Sequence, residues 1–125
     1  MKVIIAGSRT ISDKARVYAA IANSGFEITE VVSGGQVTYD RNRRPVGGVD
    51  WIGEQWALEH GIPIKRYVAY WKTLGFKAGP MRNADMANYA EALILAWNGK
   101  SAGSMSMLAK AETKGLRIFQ DVRSA

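Results

Sequence analysis

The sequence has no cysteine, a single histidine and no long apolar run. Without cysteine there is no disulfide and no thiolate metal site, and one imidazole, that of His60, makes no convincing metal site by itself. No segment approaches the ~20 apolar residues that span a bilayer, and the first residues do not form an apolar leader. These absences favour a cytoplasmic protein with no metal and no cofactor.

Acidic residues are also fewer than basic ones. The chain has 11 Asp and Glu against 17 Lys and Arg, a formal net charge of +6. This balance favours an anionic partner, which a nucleic acid or a small phosphorylated ligand would supply equally well, although excess charge can serve solubility alone. Part of the charge lies in the polar segment 36–47, with Arg41, Arg43 and Arg44. We predict an exposed excursion there, either a small hairpin or a partly disordered loop.

Elsewhere, short apolar runs alternate with segments of helical periodicity. We predict strands over 2–7, 28–35, 62–69, 92–97 and 116–121, and helices over 13–24, 51–61, 81–91 and 103–115, with an irregular loop over 71–80. Strict alternation predicts one α/β domain over residues 1–125, a Rossmann-like parallel five-stranded sheet with helices on both faces. The predicted strand order is 3-2-1-4-5, with the switch point between the first and fourth strands.

In a sheet of this kind, ligands bind beyond the carboxyl ends of the strands at the switch point. Three of the predicted strands end there in small-residue turns, namely Gly7-Ser8-Arg9, Ser33-Gly34-Gly35 and Asn98-Gly99-Lys100-Ser101-Ala102-Gly103-Ser104. The third turn contains Gly-Lys-Ser, but Ile94 stands where a P-loop needs its first glycine. Backbone N–H groups in such turns suit phosphate, whereas ordinary strand-to-helix turns are the simpler interpretation.

The quoted turns belong to a series of motifs: "GSR", "SGG…GVD", "AGPMRNADM" and "WNGKSAGS". Together and in this order they resemble the SLOG (SMF/DprA–LOG) superfamily, and more narrowly its small YpsA-related branch, often found in phages and prophages. The resemblance implies a Rossmann-like fold and a homo-oligomer, a dimer or a tetramer. For a phage-encoded member it implies the host cytoplasm. The superfamily includes the Lonely Guy phosphoribohydrolases, which cleave the N-glycosidic bond of nucleoside monophosphates, and proteins regarded as nucleotide or NAD-related sensors.

The resemblance also assigns residues. Arg82, with Asn83 beside it, matches an arginine that would contact phosphate or ribose, and Gly103-Ser104 stands for a phosphate-binding Gly-Thr pair. Met107 occupies the position of the catalytic glutamate of the Lonely Guy enzymes. Because a methionine can neither transfer a proton nor stabilise an oxocarbenium ion, efficient turnover is not expected. The resemblance therefore implies binding or sensing of a nucleotide or an ADP-ribose-like molecule.

Two alternatives stay open. One is a nucleotide N-glycosidase in which Asp50 or Glu54 replaces the missing glutamate. The other is a DNA- or RNA-binding module, which the kinship with DprA and the arginines of segment 36–47 favour. That segment is also a candidate lid or dimer arm, or a tolerated surface insertion.

Several further side chains have a functional and a structural interpretation. Arg9 follows the first strand and is predicted to reach the ligand, or to be solvated. Asp50 is either a ribose ligand or the N-cap of the second helix. Trp97 ends the fourth strand and either stacks on a base or packs in the core. Lys100 is predicted to add charge at the rim of the site.

Overall fold

The structure is a computed structural model, and it describes residues 1–124. It contains seven strands, β1 Lys2–Gly7, β2 Glu30–Ser33, β3 Thr38–Tyr39, β4 Pro45–Gly47, β5 Ile64–Arg66, β6 Ala92–Trp97 and β7 Arg117–Val122. Five α-helices accompany them, α1 Lys14–Ser24, α2 Val49–Glu59, α3 Trp71–Leu74, α4 Ala78–Tyr89 and α5 Ala102–Thr113, with a 3₁₀ turn at Gly75–Lys77 between α3 and α4. No helix within residues 1–124 is both long enough and apolar enough to cross a membrane.

Five strands form one sheet in the order β5-β2-β1-β6-β7, and every neighbouring pair is parallel. The order corresponds to the predicted 3-2-1-4-5, so the predicted Rossmann-like sheet is confirmed. At its centre β1 pairs with β6 from Val3 opposite Ala92 to Gly7 opposite Ala96. Both strands are apolar runs because helices cover both of their faces.

The core has one layer on each face of the sheet, because successive strand side chains point to opposite faces. Val3 and Ile5 of β1 belong to the layer under α1 and α2, whereas Ile4 belongs to the layer under α4 and α5. The glycine at position 53 lets α2 lie directly on β1, since a Cβ there would stand 2.7 Å from Cγ2 of Ile5. This close packing fixes the start of α2 against the carboxyl end of β1.

The segment before α4 differs from the prediction of an irregular loop over 71–80. It forms α3 and a 3₁₀ turn, and α4 begins at Ala78 rather than at Met81. Pro80 was expected to mark the helix start, but it lies inside the first turn of α4, where a missing N–H costs no helical hydrogen bond. The strands predicted over 28–35 and 62–69 are also shorter, because β5 pairs with β2 through only three residues.

Segment 36–47 contains an antiparallel hairpin of β3 and β4. Its turn closes on Asp40, whose carboxylate accepts the N–H groups of Asn42 at 2.8 Å and Arg44 at 3.0 Å. The three arginines of the turn are exposed. At the base of the hairpin, the Thr38 hydroxyl donates to the Arg9 carbonyl at 2.8 Å. The hairpin is therefore anchored to the turn after β1.

Candidate functional site

A cavity of about 540 Å³ lies at the carboxyl ends of β1 and β6, which is the switch point of the sheet. Its wall combines the turn after β1, the first turns of α4 and α5, Gln36 at the base of the hairpin, one side chain from α2 and two from the α3 segment. Residues that are far apart in the sequence thus meet where open α/β sheets bind their ligands.

Two hydroxyl groups in the cavity wall have no hydrogen-bond partner. In residues 1–124, Ser8 Oγ and Ser101 Oγ are the buried side-chain polar atoms left unsatisfied by protein groups. Ser8 is only 6% exposed. Buried polar atoms in folded proteins are nearly always paired, so these two hydroxyls on one cavity wall are available to a polar ligand or to water.

The turn into α5 directs free N–H groups towards the same place. Asn98 Oδ1 accepts the N–H groups of Lys100 at 2.8 Å and Ser101 at 3.0 Å, and Gly99 adopts a φ of +83°. Ser101 is the N-cap of α5, yet its side chain makes no capping bond. The N–H groups of the first helical turn precede the first intrahelical bond, and with the helix dipole they suit an anion. We call Ser8, Ser101 and this first turn the polar corner.

Asn83 holds α4 against α5 beside the polar corner. Its amide nitrogen donates to the Gly103 carbonyl at 3.4 Å and to Ser106 Oγ at 3.3 Å, and its carbonyl oxygen accepts Nε of Arg82 at 3.1 Å. Both ends of the amide are therefore engaged within the protein. Asn83 therefore positions α4 against α5, and it also lines the cavity. Its predicted part in ligand binding stays a prediction.

Asp50 and Arg82 face each other across Gly34. A Cβ at Gly34 would stand 2.8 Å from Oδ2 of Asp50 and 2.9 Å from Nη1 of Arg82, so a larger residue would push at least one of these side chains aside. Arg82 also donates to the Gly34 carbonyl at 3.2 Å, and with its bond to Asn83 it uses two of five N–H donors among the described residues. Burial lowers the pKa of the Arg82 guanidinium, although the Asp50 carboxylate opposes that effect.

The Asp50 carboxyl is buried in the cavity wall. Burial raises its pKa to about 6, although the N–H of Gln36, 3.2 Å from Oδ2, and the charge of Arg82 both favour the carboxylate. The predicted capping role is wrong, because α2 begins at Val49 after Gly48, and Asp50 lies inside the first turn. Its side chain binds the start of segment 36–47 instead of its own helix.

Glu54, the other candidate acid, lies one turn further along α2 and does not line the cavity. Its carboxylate accepts the Ser33 hydroxyl at 2.6 Å and Nε of Arg66 at 2.9 Å. The hydrogen bond to Glu54 raises the pKa of Arg66. We call Glu54, Ser33 and Arg66 the Glu54 cluster. The Glu54 carboxylate is hydrogen-bonded within this cluster. Of the two candidate acids, only Asp50 therefore lines the cavity.

No protein-family model matches the chain. No curated protein matches it either. Among solved structures, the X-ray structure of DNA processing protein A (DprA) from Streptococcus pneumoniae is similar, with a TM-score of 0.70 and 20% sequence identity. The match covers 95% of this chain but 49% of the DprA chain, so this chain spans about half of that protein.

The similarity shows the fold. This chain shares a Rossmann-like α/β fold with part of DprA. The assignment to the SLOG superfamily and to its YpsA-related branch stays a prediction. The site itself has to be argued from its own residues, because one fold hosts many functions.

Most residues predicted for the site do line the cavity: Gly7, Ser8, Arg9, Asp50, Arg82, Asn83, Ser101, Gly103 and Ser104. Met107 lines it too, as a buried side chain of α5. Gly34 and Gly35 border a smaller adjoining depression of about 240 Å³ that shares Arg82 with the cavity. Gly99 and Lys100 are exposed and lie outside the cavity wall. The first and third predicted turns therefore build the cavity, and the second builds its neighbour.

Trp97 and Gly7 were predicted to contact the ligand, and the structure gives each of them a role in packing. Trp97 is 6% exposed, packs in the core layer under α4 and α5, and donates its Nε1–H to Gln120 at 3.0 Å. It does not line the cavity, so the structural interpretation replaces the predicted base stacking. Gly7 lines the cavity, but a Cβ there would also stand 1.8 Å from the Ala96 carbonyl oxygen. Strand packing alone requires this glycine, whether or not a ligand approaches it.

Sequence reasoning missed the aromatic part of the wall. Trp71 and Phe76 line the cavity, together with Gln36 at the base of the hairpin. The prediction of an irregular loop over 71–80 gave neither aromatic residue a part in the site. Two large aromatic residues within this short segment are the local signal that could have identified it. In residues 1–124 no group of three metal-binding side chains accompanies these residues.

Proposed function

We propose that the chain binds a nucleotide or nucleotide derivative, with a phosphate group in the polar corner and without efficient turnover. The observation that carries this proposal is the pair of orphaned hydroxyls, Ser8 Oγ and Ser101 Oγ, beside the N-terminus of α5. The oxygens of one phosphate group would together accept the two hydroxyl hydrogens and the free N–H groups. Charge-assisted hydrogen bonds of this kind are stronger than bonds between neutral groups.

The charged side chains around the polar corner support the same assignment. Arg9 and Arg82 line the cavity, and most N–H donors of Arg82 remain open to a guest. Asp50 is an acceptor on the same wall, which suits the hydroxyl groups of a ribose. A cavity with donors for an anion beside an acceptor for a sugar fits a nucleotide better than it fits inorganic phosphate.

The proposal of slow or absent turnover depends on the number of carboxyl groups that line the cavity. Glycoside hydrolysis normally needs two carboxyl groups, one to protonate the leaving group and one to stabilise or attack the sugar. Met107 supplies none, and Glu54 is held by Ser33 and Arg66. Asp50 alone remains. Release of free base from AMP or NAD at rates typical of enzymes would therefore contradict this part of the proposal.

The test is isothermal titration calorimetry with AMP, ADP-ribose and inorganic phosphate. Ser8→Ala and Ser101→Ala should each weaken nucleotide binding about 10-fold, because each removes one hydrogen bond to a charged oxygen. Ser12→Ala is the matched control, since Ser12 is exposed and does not line the cavity. Nucleotide affinities that are the same in all three variants and in the natural protein would overturn the proposal.

A second candidate function is nucleic-acid binding through the hairpin. Arg41, Arg43 and Arg44 are exposed at its turn, and the ion pairs described within residues 1–124 include none of the three. Replacing all three by alanine should abolish binding of a DNA or RNA oligonucleotide and flatten its salt dependence. A matched triple variant, Lys72→Ala, Lys77→Ala and Lys114→Ala, removes the same charge elsewhere. Equal losses in the two variants would count against a hairpin site.

A further inference from the structure

The cavity wall has two chemically different parts. The polar corner lies where α5 begins, and the opposite chemistry comes from the α3 segment, which contributes Trp71 and Phe76. Met86 and Pro80 add further apolar surface to the wall. We call Trp71 and Phe76 the aromatic mouth. A guest that fills only the polar corner leaves this apolar surface in water.

The two rings are unusually open for their size. Phe76 is 86% exposed and Trp71 is 45% exposed, although both line the cavity. Large aromatic side chains in folded proteins are mostly buried, and rings that stay open beside a cavity are typical of binding sites. Nothing in the core requires either ring, because neither belongs to the two buried clusters of the described residues.

Trp71 lies against α4. A Cβ at Gly79 would stand 3.0 Å from Cη2 of Trp71, so the indole is next to the first turn of α4. The backbone N–H of Trp71 donates to the Ala69 carbonyl at 3.0 Å, and that of Leu74 donates to the Tyr70 carbonyl at 2.9 Å. The indole therefore lies close to α4 through its six-membered ring and also lines the cavity.

We propose that the aromatic mouth is the base-binding subsite of the cavity and that Trp71 and Phe76 stack on the planar base of the nucleotide. This inference rests on the proposed function, because the phosphate in the polar corner determines where the base can reach. Stacking on aromatic side chains is the common way in which proteins hold a nucleobase without reading its hydrogen bonds. A sugar phosphate without a base would gain nothing from these two rings.

The experiment compares AMP with ribose 5-phosphate, which carries a hydroxyl group at C1 in place of the base. The natural protein should bind AMP at least about 10-fold more tightly. Trp71→Ala and Phe76→Ala should each weaken AMP binding by about 5- to 100-fold and leave the affinity for ribose 5-phosphate within twofold. Tyr70→Ala is the matched control, because Tyr70 is adjacent and 65% exposed but does not line the cavity.

The possible outcomes separate this inference from the proposed function. Equal affinities for AMP and ribose 5-phosphate, or losses of both in the aromatic variants, would overturn the base subsite and leave the phosphate site standing. If neither compound binds, both proposals are overturned. A second copy of this chain is the competing occupant of the exposed rings. Light scattering that shows an oligomer in the natural protein and a monomer in Phe76→Ala would decide for that occupant and against the base.

Discussion

Asp50 and Glu54 lie one turn apart on the buried side of α2, yet their surroundings differ in how many polar groups are satisfied. The Glu54 carboxylate accepts hydrogen bonds from Ser33 and Arg66, and Ser33 Oγ also accepts the N–H of Gly35 at 3.0 Å. In the cavity beside Asp50, Ser8 and Ser101 have no partner among the described residues. Polar groups that are hydrogen-bonded to one another stabilise the folded state, whereas unpaired polar groups are available to a ligand.

The difference between the Glu54 cluster and the cavity wall should be measurable in the free energy of unfolding. A buried polar group that forms a hydrogen bond within the protein costs little free energy on folding. A buried polar group without a partner loses the free energy of its hydration and gains no hydrogen bond in exchange. Mutations in the Glu54 cluster should therefore destabilise the protein. Mutations in the cavity wall should leave stability unchanged or improve it while they impair binding. Opposite signs of this kind are typical of functional sites.

The largest expected effect is that of Glu54→Ala. It removes a buried acceptor and leaves Ser33 and Arg66 without their partner, so the free energy of unfolding should fall by about 2–3 kcal/mol in urea denaturation. Arg66 is largely exposed, and the loss is therefore attributed mainly to the buried bond with Ser33. Glu59→Ala on the same helix removes exposed bonds to Lys14 and Tyr18 and should cost much less stability. Equal losses of stability in the two variants would contradict the stabilising role of the Glu54 cluster.

The next effect is a gain of stability in Asp50→Asn that depends on pH. The folded state raises the Asp50 pKa from 3.8 to about 6, so it holds this proton more tightly than the unfolded chain does. The contribution of Asp50 to stability is therefore present below about pH 4 and is lost as the pH rises through 6. Asp50→Asn should be more stable than the natural protein by about 2 kcal/mol at pH 7.5 and of similar stability at pH 4.

Thermal unfolding across this pH range measures the difference. Asp85→Asn is the control for the loss of one negative charge, because Asp85 is exposed on α4. The prediction fails if Asp50→Asn is less stable than the natural protein at pH 7.5, or if its advantage is the same at every pH. In binding experiments the same variant should lose affinity for ligands that carry a ribose, because an amide is a weaker acceptor than a carboxylate.

The smallest effect compares two buried serines. Ser33→Ala breaks bonds to Glu54 and Gly35 and should lower the free energy of unfolding by about 1–2 kcal/mol. Ser8→Ala removes a hydroxyl with no partner and should leave it unchanged or raise it by up to about 1 kcal/mol. Urea titration of the ligand-free proteins checks both values. Similar losses in the two variants would mean that Ser8 has a partner in solution.

The strand order could be predicted because continuous apolar runs such as 92–97 are typical of central parallel strands. The location of the cavity followed from that order and from the turns after β1 and β6. The start of α4 was missed because Pro80 was taken as a boundary, whereas proline is also accepted inside a first helical turn. Trp97 was ambiguous because a residue at a strand end lies next to the site and next to the core alike.

Other features of the site depend on contacts between distant segments. Asp50 binds Gln36 rather than its own helix because the hairpin returns to the start of α2, and no local pattern reveals such a return. The pairing of Glu54 with Arg66 requires the register of β5 against β2. Whether a serine hydroxyl has a hydrogen-bond partner depends on how the chain packs, and the sequence alone does not show it.

The hairpin has a practical consequence for experiments on this protein. Its base is anchored by Thr38 to Arg9 and by Gln36 to Asp50, whereas its exposed turn closes on Asp40 alone. Because the chain has no cysteine, Arg41→Cys would create a single reactive thiol at that turn, away from the cavity wall. A fluorophore attached there would report on the position of the hairpin by energy transfer from tryptophan, with no background labelling and no change to a residue of the binding cavity.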